Sequence, residues 1–83
     1  MYRFSVKPGN KIARAEVAGD FSNWEPVRMR KNKKGEYVAN VPLQAGTYEY
    51  KFILDGDWTV DAENENYSSN SFGTMNSVAC AEG

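Results

Sequence analysis

An all-β, immunoglobulin-like sandwich of about seven short antiparallel strands is the fold this sequence predicts. Three observations lead there. Apolar residues recur at every second position and show no sustained helical period. Gly, Pro, Asn and Asp punctuate the chain into short segments. The 83 residues include five Tyr, four Phe and two Trp, enough for one compact core and a single domain over 1–83. A partly open barrel is the alternative that the same pattern permits.

The segments follow in order. "MYRFSV" alternates Tyr2, Phe4 and Val6 until Pro8-Gly9 breaks it. "ARAEVAG" sets Ala13, Ala15 and Val17 against Arg14 and Glu16. "VRMR" sets Val27 and Met29 against Arg28 and Arg30, and the turn-rich "KNKKG" ends it. "EYVANVPL" places Tyr37, Ala39, Val41 and Leu43 on one side, and "GTYEYKFIL" does the same with Tyr48, Tyr50, Phe52 and Leu54. After Asp55-Gly56 come "DWTV", a polar stretch from Asp61 to Gly73, and "TMNSVACA". Segments of this length and spacing suit a sandwich.

Charge is nearly balanced, with ten Lys/Arg against eleven Asp/Glu, but unevenly placed. Residues 1–34 hold nine basic against three acidic groups, and residues 35–83 hold one against eight. Folded together the halves largely cancel, so no polyanionic partner is demanded. No run reaches the roughly 18 apolar residues of a membrane span, and the first residues carry no apolar signal core. One cysteine, Cys80, leaves no internal bridge, which makes a cytoplasmic protein the expectation. Cys80 itself reads as a small residue packed in the last strand. Histidine is absent, and with it the commonest general base and metal ligand.

Asp55-Gly56 between two strand-like runs is a strong signal for a two-residue hairpin. That turn would pair Leu54 with Asp57, Ile53 with Trp58, Phe52 with Thr59 and Lys51 with Val60. Opposed residues share a face, so Trp58 would lie with Ile53, Lys51 and Glu49, away from the heavier row of Tyr48, Tyr50, Phe52 and Leu54. A tryptophan is thereby presented outward. In "AGDFSNWEPV", Phe21 continues the inward parity of Ala15 and Val17 and plugs the end of the core. Trp24 then stands farther out on the loop.

"VAGDFSNWEPVRM", "GTYEYKFILDGDWTVD" and "SFGTMNSV" resemble, in order and spacing, the glycogen- and starch-binding modules of carbohydrate-binding module family 48. That family includes the glycogen-binding domain of the AMP-activated protein kinase β subunit. It also includes the N-terminal domains of isoamylases, pullulanases and glycogen branching enzymes. The resemblance spans residues 15–79 and implies the early-set type of immunoglobulin-like sandwich. It implies that Trp24 and Trp58 are sugar-stacking residues and that Lys51 is a sugar-contacting lysine. By the same match Phe72 is the bulky residue that enters the curve of the glucan, where the family often has leucine. Thr74 and Asn76 match the residues that hydrogen-bond sugar hydroxyls. The chain departs from the family after Trp58, where "DAENENYSSNS" replaces Asp-Pro and a second proline in a slightly longer loop.

The implied ligand is an α-glucan, with no catalytic residue, cofactor or metal. Indole faces suit the C–H face of glucose, and two set at an angle follow a curved α-1,4 chain rather than a straight β-1,4 ribbon. Rim hydroxyls need the donors and acceptors of Lys51, Thr74 and Asn76. The resemblance also allows a catalytic amylolytic domain or a kinase-type partner. The rival within the family is a structural or docking domain that packs on such a partner without holding sugar. Its weakness is that the polar contacts accompany the aromatics.

Other classes fit less well. Asp55, Asp57, Asp61, Glu63 and Glu65 could supply a hydrolase pair or a calcium loop. They crowd a turn and a polar loop without apolar neighbours, and read as solvated turn acids. Arg28, Arg30, Lys31, Lys33 and Lys34 could face nucleic acid, but the aromatics lie elsewhere. They read as charges that guard an edge strand. Asn66-Tyr67-Ser68 is a glycosylation sequon, relevant to a secreted protein only.

Overall fold

The computed structural model describes residues 2–9, 11–61, 64, 66–69 and 75–82. Among these lie nine strands: β1 (Tyr2–Val6), β2 (Ala15–Gly19), β3 (Val27–Arg28), β4 (Arg30–Lys31), β5 (Tyr37–Val41), β6 (Gly46–Leu54), β7 (Asp57–Thr59), β8 (Tyr67–Ser69) and β9 (Met75–Ala81). A short 3₁₀ turn occupies Asp20–Ser22. Every pairing is antiparallel. One sheet runs β1-β5-β4, and the other runs β3-β2-β6-β9-β8 with β7 added against β6. The molecule is the antiparallel sandwich that the alternation predicted.

Two elements differ from the expected seven. "VRMR" is not one strand but two, because Val27–Arg28 pair with β2 while Arg30–Lys31 pair with β5. Met29 makes the crossing between sheets: its side chain is 3% exposed and its N–H donates to the Ala15 carbonyl at 2.9 Å. β8 lies inside the stretch read as a polar loop. Tyr67 and Ser69 are both exposed there, so ladder bonds to β9 define the strand without an apolar row.

Two single residues also differ. Ala13, expected inward, is exposed and precedes β2. Cys80, expected to be packed, is exposed, because Ala79 takes the core position and the next residue turns away.

The core is aromatic, as a small domain requires. Phe4 lies 4.7 Å from Tyr2, 5.1 Å from Phe21 and 4.9 Å from Tyr50, ring centre to ring centre. Tyr50 meets Phe52 edge-on at 5.6 Å. Burying Phe52 alone is worth about 1.5–3 kcal/mol. Phe21 plugs the core end as expected, and Gly19 makes room for it. A Cβ at Gly19 would collide with the Glu49 carbonyl oxygen and stand 2.8 Å from the Phe21 ring.

Tyr50 also carries a polar bond into this core. Its hydroxyl donates to Asp61 Oδ2 at 2.8 Å and accepts from Asn64 Nδ2 at 2.9 Å. Asn64 Nδ2 reaches the Val78 carbonyl at 2.9 Å, and the Asp61 N–H donates to Ser77 Oγ at 2.8 Å. Asp61, read as a solvated loop acid, therefore ties the chain beyond β7 to β6 and β9. Asp55 departs from that reading too. Its carboxylate accepts the Ala13 N–H at 3.0 Å and the Arg14 N–H at 2.8 Å, locking the hairpin tip to the start of β2.

Burial is the main cause that pushes the Tyr50 phenol well above its ordinary value of 10.0, with Asp61 adding to it. The unfolded chain then releases this proton first, so stability is intact below the ordinary phenol value and falls as pH rises past it. Urea unfolding followed between about pH 9 and pH 11 should show that fall, and Tyr50→Phe should flatten it. An unchanged slope in the variant would contradict the assignment.

Candidate functional site: the outward face of the larger sheet

The hairpin between β6 and β7 has the register expected from sequence. Leu54 pairs with Asp57, Ile53 with Trp58 and Phe52 with Thr59, while the expected fourth pair, Lys51 with Val60, is not made because β7 ends at Thr59. Asp55 and Gly56 have φ of 49° and 89°, the two positive values that a tight two-residue hairpin turn requires. Trp58 is 52% exposed, an outlier for a side chain with so much apolar surface. Opposite it Ile53 is only 5% exposed, although it lies outside the core cluster. Ala18, paired with Lys51, is likewise buried outside that cluster. The outward face thus has a covered apolar floor beneath the exposed indole.

Lys51 stands between Ile53 and Glu49 on this face, half-buried. Glu49 pairs with Val78 on β9, and Asn76 lies diagonally from it. Asn76 Nδ2 donates to Glu49 Oε1 at 3.1 Å, and Asn76 is 6% exposed. Asn76 is therefore an inner residue that orients Glu49. Phe72 and Thr74 lie outside the described residues.

Trp24 is fixed differently. Its indole N–H donates to Asp20 Oδ1 at 3.1 Å, while Asp20 Oδ2 accepts the Glu49 backbone N–H at 2.9 Å. Asp20 continues the outward parity of Glu16 and Ala18 just past the end of β2. One carboxylate thus ties the half-buried indole to the level of Glu49 on β6. Trp24 and Asn23 both hold left-handed backbone, with φ of 62° and 53°. That conformation is rare for a bulky residue, and local bonds hold it. The Trp24 N–H donates to the Gly19 carbonyl at 2.9 Å, and Ser22 Oγ donates to the Glu25 carbonyl at 2.8 Å.

The two indoles are anchored at opposite ends of one stretch of β6. Glu49 and Ile53 are four residues apart, about 13 Å along a strand, with Lys51 midway. Trp24 approaches from the β2 flank and Trp58 from the β7 flank. Between these two levels β6 carries the charged groups of Glu49 and Lys51. That arrangement can hold an extended ligand with apolar faces and a polar rim. Among the described residues no three potential metal ligands come together. Among the same residues no helix is long and apolar enough to cross a membrane.

Strand parity alone placed Trp58 and Lys51 on the outward face, where the structure has them. It missed the anchoring by Asp20 and the support of Glu49 by Asn76. The partners of Asp20 lie four and 29 residues away, a spacing that no local pattern displays.

Asp20→Ala should cost about 1–2 kcal/mol, because two hydrogen bonds to a charged acceptor are lost at a partly wet position. The Trp24 emission should shift to the red as the ring loosens, and Asp20→Asn should be intermediate. Urea unfolding and fluorescence check both points. No change in either would show that the indole is held by other contacts.

Residues 3–82 match the sequence pattern of the glycogen recognition site of AMP-activated protein kinase. The 5'-AMP-activated protein kinase subunit beta-1 of Sus scrofa is 32% identical over 62 residues, 75% of this chain and 49% of the pig protein. The Homo sapiens subunit is also 32% identical, over 75% of this chain and 22% of the human protein. The chloroplastic protein PTST homolog 2 of Arabidopsis thaliana is 38% identical over 63% of this chain and 10% of the plant protein. The chain thus spans about half the length of these curated relatives or less. It belongs to the family of the glycogen recognition site of AMP-activated protein kinase.

Proposed function

We propose that this domain is a non-catalytic module that binds α-1,4-glucan, as glycogen, starch, maltooligosaccharide or cyclodextrin, on the outward face of the larger sheet. The observation that carries the reading is Trp58, 52% exposed beside its buried cross-strand partner Ile53. A free indole in that setting gains by covering itself with the apolar face of a sugar ring, through dispersion and released water. Trp24 supplies a second plate at the Glu49 end. Its N–H is already given to Asp20, so it offers the ligand its ring face. Lys51 and Glu49 line the space between and can meet hydroxyls as donor and acceptor. Asn76 contributes through Glu49, which it orients. Phe72 and Thr74, matched by the family resemblance, complete the proposed contacts.

A shallow wet site of this kind gives weak single contacts, roughly −8 to −4 kcal/mol or micromolar to millimolar affinity. A polymer that repeats its binding unit makes such affinity sufficient. Family membership supports glucan recognition, and the kinase subunits among the relatives support a kinase-type partner for the module.

Tryptophan emission should shift on adding β-cyclodextrin and stay unchanged with a cellulo-oligosaccharide of similar length. Trp58→Ala should abolish binding to glycogen while the circular dichroism and unfolding midpoint stay close to those of the parent. Full binding by the variant would remove the site, and an equal response to both sugars would remove the selectivity for a curved chain.

A further inference from the structure

Beyond Glu16, where the larger sheet meets β4 and β5 of the smaller one, lies a cleft that glucan stacking does not use. It is lined by Ala13, Arg14, Arg28, Met29, Arg30, Lys31 and Tyr37. Four of these carry positive charge and none is acidic. It forms where the chain crosses from β3 to β4 at Met29, so the residues flanking the crossing converge there instead of spreading along an edge. Arg14 is paired with Glu16 at 3.2 Å. Arg28, Arg30 and Lys31 have no carboxylate partner among the described residues. The Tyr37 hydroxyl is committed to the Ile12 carbonyl at 3.0 Å, and Met29 is buried, so the floor is fixed.

Cations gathered in one concavity repel each other and raise the local potential, which attracts an anion. Charges that only guard a sheet edge need no such convergence. Guanidinium groups match phosphate in particular, because their planar fork makes paired hydrogen bonds to it. A phosphate monoester carries about −1.5 to −2 charge at pH 7, enough to engage more than one of the unpaired cations.

Arg28 links the cleft to the strands of the proposed sugar face. Arg28 pairs with Glu16, Glu16 with Ile53, and Ile53 with Trp58, one row across β3, β2, β6 and β7. Three strand spacings separate its ends, about 14 Å. A glucan held from Trp24 to Trp58 along β6 crosses that row at Ile53, so a substituent directed along the row points toward the cleft. We propose that the cleft is an anion subsite for a phosphate monoester borne on the α-glucan held beside Trp58, an assignment that rests on the glucan-binding reading.

The test compares a linear maltooligosaccharide carrying one phosphate monoester with the same chain unmodified, by calorimetry at low salt. The phosphorylated chain should bind roughly tenfold tighter, and the advantage should shrink as salt rises toward 1 M. An Arg28→Gln/Arg30→Gln variant should bind both chains with the affinity the parent shows for the unmodified one. Should that variant unfold, Lys31→Gln replaces it and should reduce the advantage. Equal affinity of the parent for both chains overturns the subsite and leaves the glucan face standing. Failure to bind either chain overturns both. A phosphoserine peptide or inorganic phosphate that binds the cleft as tightly as the phosphorylated chain shows that the sugar adds nothing, and overturns the assignment to glucan.

Discussion

Strand β6 performs two tasks on opposite faces, and the period of two along it binds them to one register. Tyr50 and Phe52 point into the core, and Glu49, Lys51 and Ile53 point out. The strand is fixed by β2 on one side and by β9 and β7 on the other. A slip of one residue would turn Phe52 into water and Lys51 into the core. The burial that stabilises the domain therefore also sets the order of groups on its outer face. For this site, folding and presentation are one constraint.

Presentation of Trp24 needs more than strand parity. Its backbone holds a left-handed conformation that a large residue rarely adopts. Asp20 offsets that cost with one carboxylate shared between the indole and the β6 ladder. Gly19 allows β2 and β6 to approach closely enough for the sharing. A change at Gly19 or Asp20 would thus be felt at the indole without touching it. Trp58 depends on a simpler device, a two-residue turn whose Asp55 side chain is clamped by the backbone before β2.

The legible part of this molecule was the part written in local pattern. Alternation gave β1, β2, β5, β6 and β9, and Asp55-Gly56 gave the β6–β7 register to the residue. Parity then gave the outward direction of Trp58 and Lys51. What was not legible depends on distant partners. The break at Met29 comes from a backbone bond to Ala15 and from the need to cross between sheets. β8 has no apolar row, so hydrophobic pattern could not reveal it. Asp61 looked like an idle loop acid until Tyr50 was found to reach it from the core. Asn76 looked like a rim group, and its burial beside Glu49 follows from pairing across β9. Phe72 and Thr74 lie outside the described residues, so the resemblance alone speaks for them.

On the proposed function both indoles serve one continuous ligand face. The most direct measurement follows the two indole N–H resonances by NMR while maltoheptaose is added. Both should shift along a single saturation curve with one dissociation constant. A resonance that stays still, or two curves that saturate at different concentrations, would contradict it.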